Sequence, residues 1–91
     1  MVKIAGVIEI PRWMEVMAYL FRNEGDNLSA IHIKLNITYS HVSLIIQELS
    51  IRKIIRKKRI GRQTIVTLTE KGRTMAECCY VINKKLYGVS K

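Results

Sequence analysis

LSAIHIKLNITYSHVSLIIQELSIR, residues 28–52, decides the fold. Two runs with helical apolar spacing are separated only by Asn36-Ile37-Thr38. Asn36 suits a left-handed turn position, Ile37 returns the chain to the core, and the Thr38 hydroxyl can cap a following helix. The spacing predicts a short helix over 28–35, capped by Asn27 or Ser29, and a longer one from Tyr39 to about Arg52. Two helices joined by three or four residues form a helix-turn-helix. At about 100° per residue, Val42, Ile45, Ile46 and Leu49 share an arc of about 100°, and Ser40, Ser43, Leu44 and Gln47 share an equal arc opposite. One side of this helix is core, and the other is free to meet a partner.

Downstream, Ile54 to Lys57 and Thr64 to Leu68 are rich in β-branched residues. Between them, Lys58-Arg59-Ile60-Gly61-Arg62 forms a basic tip in which Gly61 permits a turn, so a hairpin is expected over 54–68. Thr69 can cap a last helix over 70–87, with Glu70 in its first turn and Lys84 and Lys85 in its last, as the helix dipole favours. Met75, Cys79, Ile82 and Leu86 recur at spacings of four and three and form a short seam. Upstream, Pro11 and the Glu24-Gly25-Asp26-Asn27 stretch bracket a helix over 12–23. Its apolar residues Trp13, Met14, Val16, Met17, Ala18, Leu20 and Phe21 spread over about 200° of the wheel, more than one small core needs. Such a helix is either sandwiched inside the fold or shared with a second subunit.

Ninety-one residues, 48% hydrophobic and 25% charged, are expected to form a single folded domain over 1–91. A domain of this size buries only about 60–65% of its unfolded surface, so further burial in a dimer is reasonable. The formal net charge is +9 and is unevenly placed. Residues 1–50 carry four bases against five acids, whereas residues 51–91 carry twelve bases against Glu70 and Glu77 alone. From Arg52 to Arg62 there are seven cations and no acid. A solvated charge run normally mixes signs, and one that does not points to a polyanion partner. The cysteines, Cys78 and Cys79, are adjacent on a helix and point about 100° apart, so core packing in a reduced intracellular protein is expected, with an intersubunit disulfide left open. The apolar start over residues 4–10 is broken by Gly6 and Glu9 and stopped by Pro11, which excludes a spanning segment there.

The order helix, helix, turn, helix, hairpin, helix resembles the winged-helix regulators of the MarR, ArsR and PadR type, including small versions from archaea and their viruses. Three stretches carry the resemblance: Leu28-Ser29-Ala30-Ile31 through Thr38, Tyr39-Ser40-His41-Val42-Ser43 through Leu49, and Ile60-Gly61-Arg62 through Leu68-Thr69-Glu70-Lys71-Gly72. Three positions depart from the family pattern. His32 stands where a small residue is usual, Lys53 where a glycine ends the third helix, and Leu44 where an arginine or lysine is common.

The resemblance implies a mainly α fold with a small β-hairpin (α+β), and a homodimeric regulator that binds double-stranded DNA in a sequence-specific manner. The third helix would enter the major groove with Tyr39, Ser40, His41, Ser43, Leu44 and Gln47 reading bases. Gln47 can pair with adenine in bidentate fashion and Leu44 can touch a thymine methyl. The acid-free wing, with Arg52, Lys53, Arg56, Lys57, Lys58, Arg59 and Arg62, would contact the phosphate backbone or the minor groove. Trp13, Met17, Met75, Cys79, Ile82 and Leu86 would form the dimer interface. A cytoplasmic, nucleoid-associated protein is implied, with no membrane contact. No nucleophile, base and orienting group fall at catalytic spacing and no Gly-rich phosphate loop is present, so neither enzyme activity, cofactor, metal nor small-molecule ligand is expected. The competing readings are a winged-helix protein-interaction module and a non-specific binder of RNA or of chromatin-like nucleic acid.

Overall fold

Three of the four helices begin where a side chain satisfies their first free N–H groups. The structure, a computed structural model, describes residues 10–87 in the order α1 (Arg12–Arg22), α2 (Leu28–Leu35), α3 (Tyr39–Ile51), β1 (Ile55–Ile60), β2 (Gln63–Leu68) and α4 (Glu70–Tyr87). Asn27 Oδ1 accepts from Ala30 N–H at 2.7 Å, Thr38 Oγ1 from His41 N–H at 3.2 Å, and Thr69 Oγ1 from Gly72 N–H at 3.0 Å. Of the two caps open for α2, Asn27 is the one used. The α1 helix follows Pro11, whose carbonyl accepts from Met14 and Glu15. The apolar start over residues 4–9 lies outside the described residues, and Ile10 is buried.

The α2 and α3 helices end alike. Asn36 and Lys53 adopt left-handed φ values of 56° and 62°. After each, the next N–H closes back over the last turn, Ile37 to the His32 carbonyl at 3.1 Å and Ile54 to the Leu49 carbonyl at 2.9 Å. This closure turns Ile37 and Ile54 inward, and both are buried. Asparagine tolerates that backbone, whereas lysine pays about 1–2 kcal/mol for it.

The core forms as the wheel predicts for α3: Val42, Ile45, Ile46 and Leu49 are buried together with Leu28 and Ile31 of α2 and Val66 and Leu68 of β2. Apart from Trp13, the wide apolar arc of α1 is covered within the subunit, because α1 packs along α4 as well as against α2. Two expected interface residues are therefore corrected. Met17 is wholly buried and Cys79 nearly so, enclosed where α1 and α4 meet, and neither leaves surface for a partner. Burial also pushes the Cys79 thiol up from its ordinary pKa, with the neighbouring Cys78 adding to the effect. At the same contact, the Phe21 and Tyr80 rings lie 5.1 Å apart and Arg22 donates to the Tyr80 hydroxyl at 3.1 Å.

The hairpin differs from its expected form. The strands extend to Ile60 and from Gln63, so the tip is the two-residue turn Gly61-Arg62 and not a five-residue loop. Gly61 takes a φ of 62°, the left-handed value that such a turn requires at its first position. Lys58, Arg59 and Ile60 pair with Ile65, Thr64 and Gln63. A further segment lies on the other side of β2: Gly25 N–H donates to the Val66 carbonyl, Val66 N–H donates to the Asp26 carbonyl, and Asn27 bridges to Ile65. This leaves β1 as the outer edge. Tyr19 donates to Asp26 beneath this segment, and its pKa is pushed up to about 12 by burial and then by the Asp26 carboxylate.

The two strands rejoin the helices through one knot. Thr69 N–H donates to the Ile54 carbonyl at 3.1 Å, and its hydroxyl donates toward the Lys53 and Ile54 carbonyls at 2.8 and 3.0 Å. Gly72 lies so close beneath that a Cβ there would stand 1.8 Å from the Ile54 oxygen. Next to the knot, Glu24 accepts from Leu68 N–H at 2.9 Å and from Arg73 Nη1 at 2.6 Å. The Leu68 amide first, then Arg73, hold the Glu24 carboxyl below its usual range.

Urea denaturation reads out the consequences of these contacts. Gly72→Ala is expected to cost about 3 kcal/mol, because backbone must move, whereas Lys53→Gly is expected to stabilise by about 1 kcal/mol through relief of the left-handed strain. A depressed folded pKa stabilises above the unfolded value and the gain is lost on acidification. Wild type should therefore lose stability faster than Glu24→Gln as pH falls below about 4.3. Parallel pH profiles would contradict the role given to Glu24.

Candidate nucleic-acid interface

The caps and closures at its two ends hold α3 so that Tyr39, Ser40, His41, Leu44 and Gln47 are exposed and Ser43 is half-buried. His32 serves the start of this helix. Its Nδ1 lies 3.1 Å from the Ile37 carbonyl, and its ring meets Tyr39 edge-on at 5.6 Å. The imidazole thus fits where a small residue is usual and has a structural partner. Glu48 is the one charged residue between Tyr39 and Ile51, and it accepts from Arg52 Nε at 2.9 Å. Arg52 is therefore already engaged one turn back along the helix. The exposed side of α3 carries no free cation.

Cations instead line β1 and its turn. Arg56, Lys57, Lys58 and Arg59 are consecutive and exposed, so strand alternation sends Lys57 and Arg59 to one face and Arg56 and Lys58 to the other. Arg62 sits in the turn, and Arg59 Nε donates to the Gly61 carbonyl at 3.3 Å. None of these five, nor Lys53, forms a salt bridge among the described residues. An open groove of about 740 Å³ joins the end of α3 to the hairpin base, with Ser50, Lys53, Arg56, Lys57 and Lys71 on its walls and Glu70 as its acid. The helix face and the basic hairpin are thus contiguous. Lys71 joins this set unannounced by the sequence pattern, because it is separated from Lys57 in the chain and reaches the groove only through the Thr69 knot.

On the other flank of α3 lies a mostly apolar groove of about 590 Å³ walled by Trp13, Leu44, Ile45, Leu49, Ile54 and Met75. Of the residues expected at a dimer interface, Trp13, Ile82 and Leu86 are exposed at 39–43% and Met75 is half-buried. Val81 and Tyr87 are exposed as well, and the seam spacing did not include them. Among the described residues, no group of three His, Cys, Asp or Glu could hold a metal ion, and no helix is long and apolar enough to cross a membrane.

No family model and no curated protein matches the chain. Solved structures do. The SSV1 protein F-93 superposes with a TM-score of 0.80 at 19% identity, over 90% of this chain and 96% of that one. The fold is a winged helix-turn-helix. The MarR family transcriptional regulator SPO1453 of Silicibacter pomeroyi matches with a TM-score of 0.71 at 21% identity, over 92% of this chain and 60% of its own. MepR of Staphylococcus aureus, solved as a complex with DNA, matches with a TM-score of 0.73 at 20% identity, over 88% of this chain and 62% of its own. The chain thus spans nearly all of F-93 and about three-fifths of the two larger regulators. In these terms the β1–β2 hairpin is the wing and α3 is the second helix of the helix-turn-helix.

Proposed function

We propose that this winged helix binds double-stranded DNA as a homodimer and regulates transcription, acting in the cytoplasm on the nucleoid and catalysing no reaction. One observation carries the reading: the unpaired cations of the wing stand beside an exposed helix face free of cations. Self-repulsion along an acid-free strand calls for a counterion, and phosphate supplies it. Arg56, Lys57, Lys58, Arg59 and Arg62 would hold the backbone or the minor groove, with Lys53 and Lys71 extending the track. Tyr39, Ser40, His41, Ser43, Leu44 and Gln47 would face the major groove. Phosphate contacts set affinity and register, and base contacts set sequence. That MepR, a protein of the same fold, was solved in complex with DNA supports DNA as the partner.

The dimer part rests on the exposed apolar side chains Trp13, Ile82 and Leu86. A two-fold pairing there would set two α3 helices about one turn of DNA, about 34 Å, apart and favour a palindromic site.

Binding by this mechanism should weaken steeply with salt. For about six to ten neutralised phosphates, affinity should fall about 10³- to 10⁵-fold between about 50 and 200 mM salt, and Arg59→Ala should weaken all duplexes alike and flatten the slope. A flat salt response in an anisotropy titration would reject the mechanism. The same titration on single strands and on RNA separates the reading from a general nucleic-acid binder, which would hold all of them equally, and from a protein-interaction module, which would hold none.

Sedimentation at micromolar concentration should return a dimer mass for wild type and a monomer mass for the folded double variant Ile82→Glu, Leu86→Glu. A monomeric wild type would remove the palindrome from the proposal.

A further inference from the structure

We infer that α3 selects A·T base pairs, with Leu44 and Ile51 as apolar contacts for thymine methyl groups on either side of Gln47, which takes adenine. The inference rests on the reading of α3 as the base-contacting helix, and goes beyond it by naming the bases and a contact, Ile51, outside the face first assigned.

Leu44 and Ile51 are each 64% exposed, the most exposed apolar residues of α3. Seven positions separate them, so they lie within about 20° of one another around the helix and about 10.5 Å apart along it. That rise is close to three base-pair steps of about 3.4 Å each. Gln47 lies between them on the same stripe and is also exposed. Scattered apolar residues on a surface are ordinary, but a leucine and an isoleucine aligned on the one side of a helix left free by its core invite a dry contact. In the major groove the apolar feature is the C5 methyl of thymine, and the group that suits a glutamine amide at both ends is the N6 and N7 pair of adenine.

The charges on the helix weigh against guanine. Guanine is read most often by Arg or Lys on O6 and N7. The Tyr39–Ile51 helix contains neither, and the nearest cation, Arg52, is held by Glu48. The wing supplies an independent argument, because Arg59 and Arg62 at its tip match the deepened negative potential of the narrow minor groove found along A-tracts.

The test uses the full chain. Duplexes bound from a random pool are sequenced, and each thymine of the enriched site is then replaced in turn by deoxyuridine, which removes a methyl and leaves every phosphate in place. The enriched positions should be A·T pairs. Wild type should lose roughly fourfold in affinity for each contacted methyl removed. Leu44→Ala and Ile51→Ala, both at exposed positions that leave the core intact, should each abolish the uracil penalty at one thymine and keep it at the other, and the double variant should bind the thymine and uracil versions alike. Salt-sensitive binding with G·C pairs enriched, or with no penalty for uracil, overturns this inference and leaves the DNA-binding reading standing. Absence of salt-sensitive duplex binding overturns both.

Discussion

The structure depends on the close approach of α4 to the end of α3. Thr69 reaches back to the Lys53 and Ile54 carbonyls, and only a residue without a side chain can stand at Gly72 beneath them. A two-stranded hairpin alone is marginal in water, so the wing is stable because both its ends are held. The knot holds its base, Glu24 ties the last residue of β2 to α1 and α4, and the Gly25–Asn27 segment pairs along β2. The edge strand β1 has no strand on its outer side among the described residues, and its four consecutive cations discourage edge-to-edge association. The Leu-Thr-Glu-Lys-Gly stretch that ends the wing thereby gains a physical meaning. Its threonine caps α4 and anchors β1, and its glycine lets the two backbones touch.

This anchoring sets the angle between two surfaces of opposite character. The outer strand of the wing carries four consecutive exposed cations, whereas the exposed face of α3 has almost no charge and a varied set of donors, acceptors and apolar tips. On the proposed reading, affinity and selectivity would fall on different elements, joined by the groove lined by Ser50 of α3 and Arg56 and Lys57 of β1. The core beneath is made almost wholly of Ile, Val, Leu and Met. It leaves no buried side-chain nitrogen or oxygen without a partner among the described residues.

Much of this was legible in the residues. Caps at Asn27, Thr38 and Thr69, and the left-handed turn at Asn36, are local chemistry, and they located α2, α3 and α4 to within a residue. The buried quartet of α3 followed from its angular period. Residue patterning alone makes the wing strands too short because Lys58-Arg59-Ile60 shows no alternation: an edge strand exposed on both faces leaves no period-two signal. Met17 and Cys79 look available to a partner on a helical wheel because the wheel shows how wide an apolar arc is and not which neighbour covers it. Contacts that join distant parts of the chain, such as Glu24 with Leu68 and Arg73, or Lys71 with the wing base, have no signature in spacing. Lys53 was a visible departure at a position that favours glycine, but its left-handed backbone needed coordinates to establish.

The central claim is that the wing and the exposed face of α3 engage one duplex together. Amide chemical shifts recorded while a short duplex is titrated into the labelled protein test it most directly. Ser40 to Gln47 and Arg56 to Arg62 should shift in concert with one saturation point, while the core strand residues Val66 and Leu68 stay still. Shifts confined to the wing, or two separate saturation points for the two elements, would contradict the account.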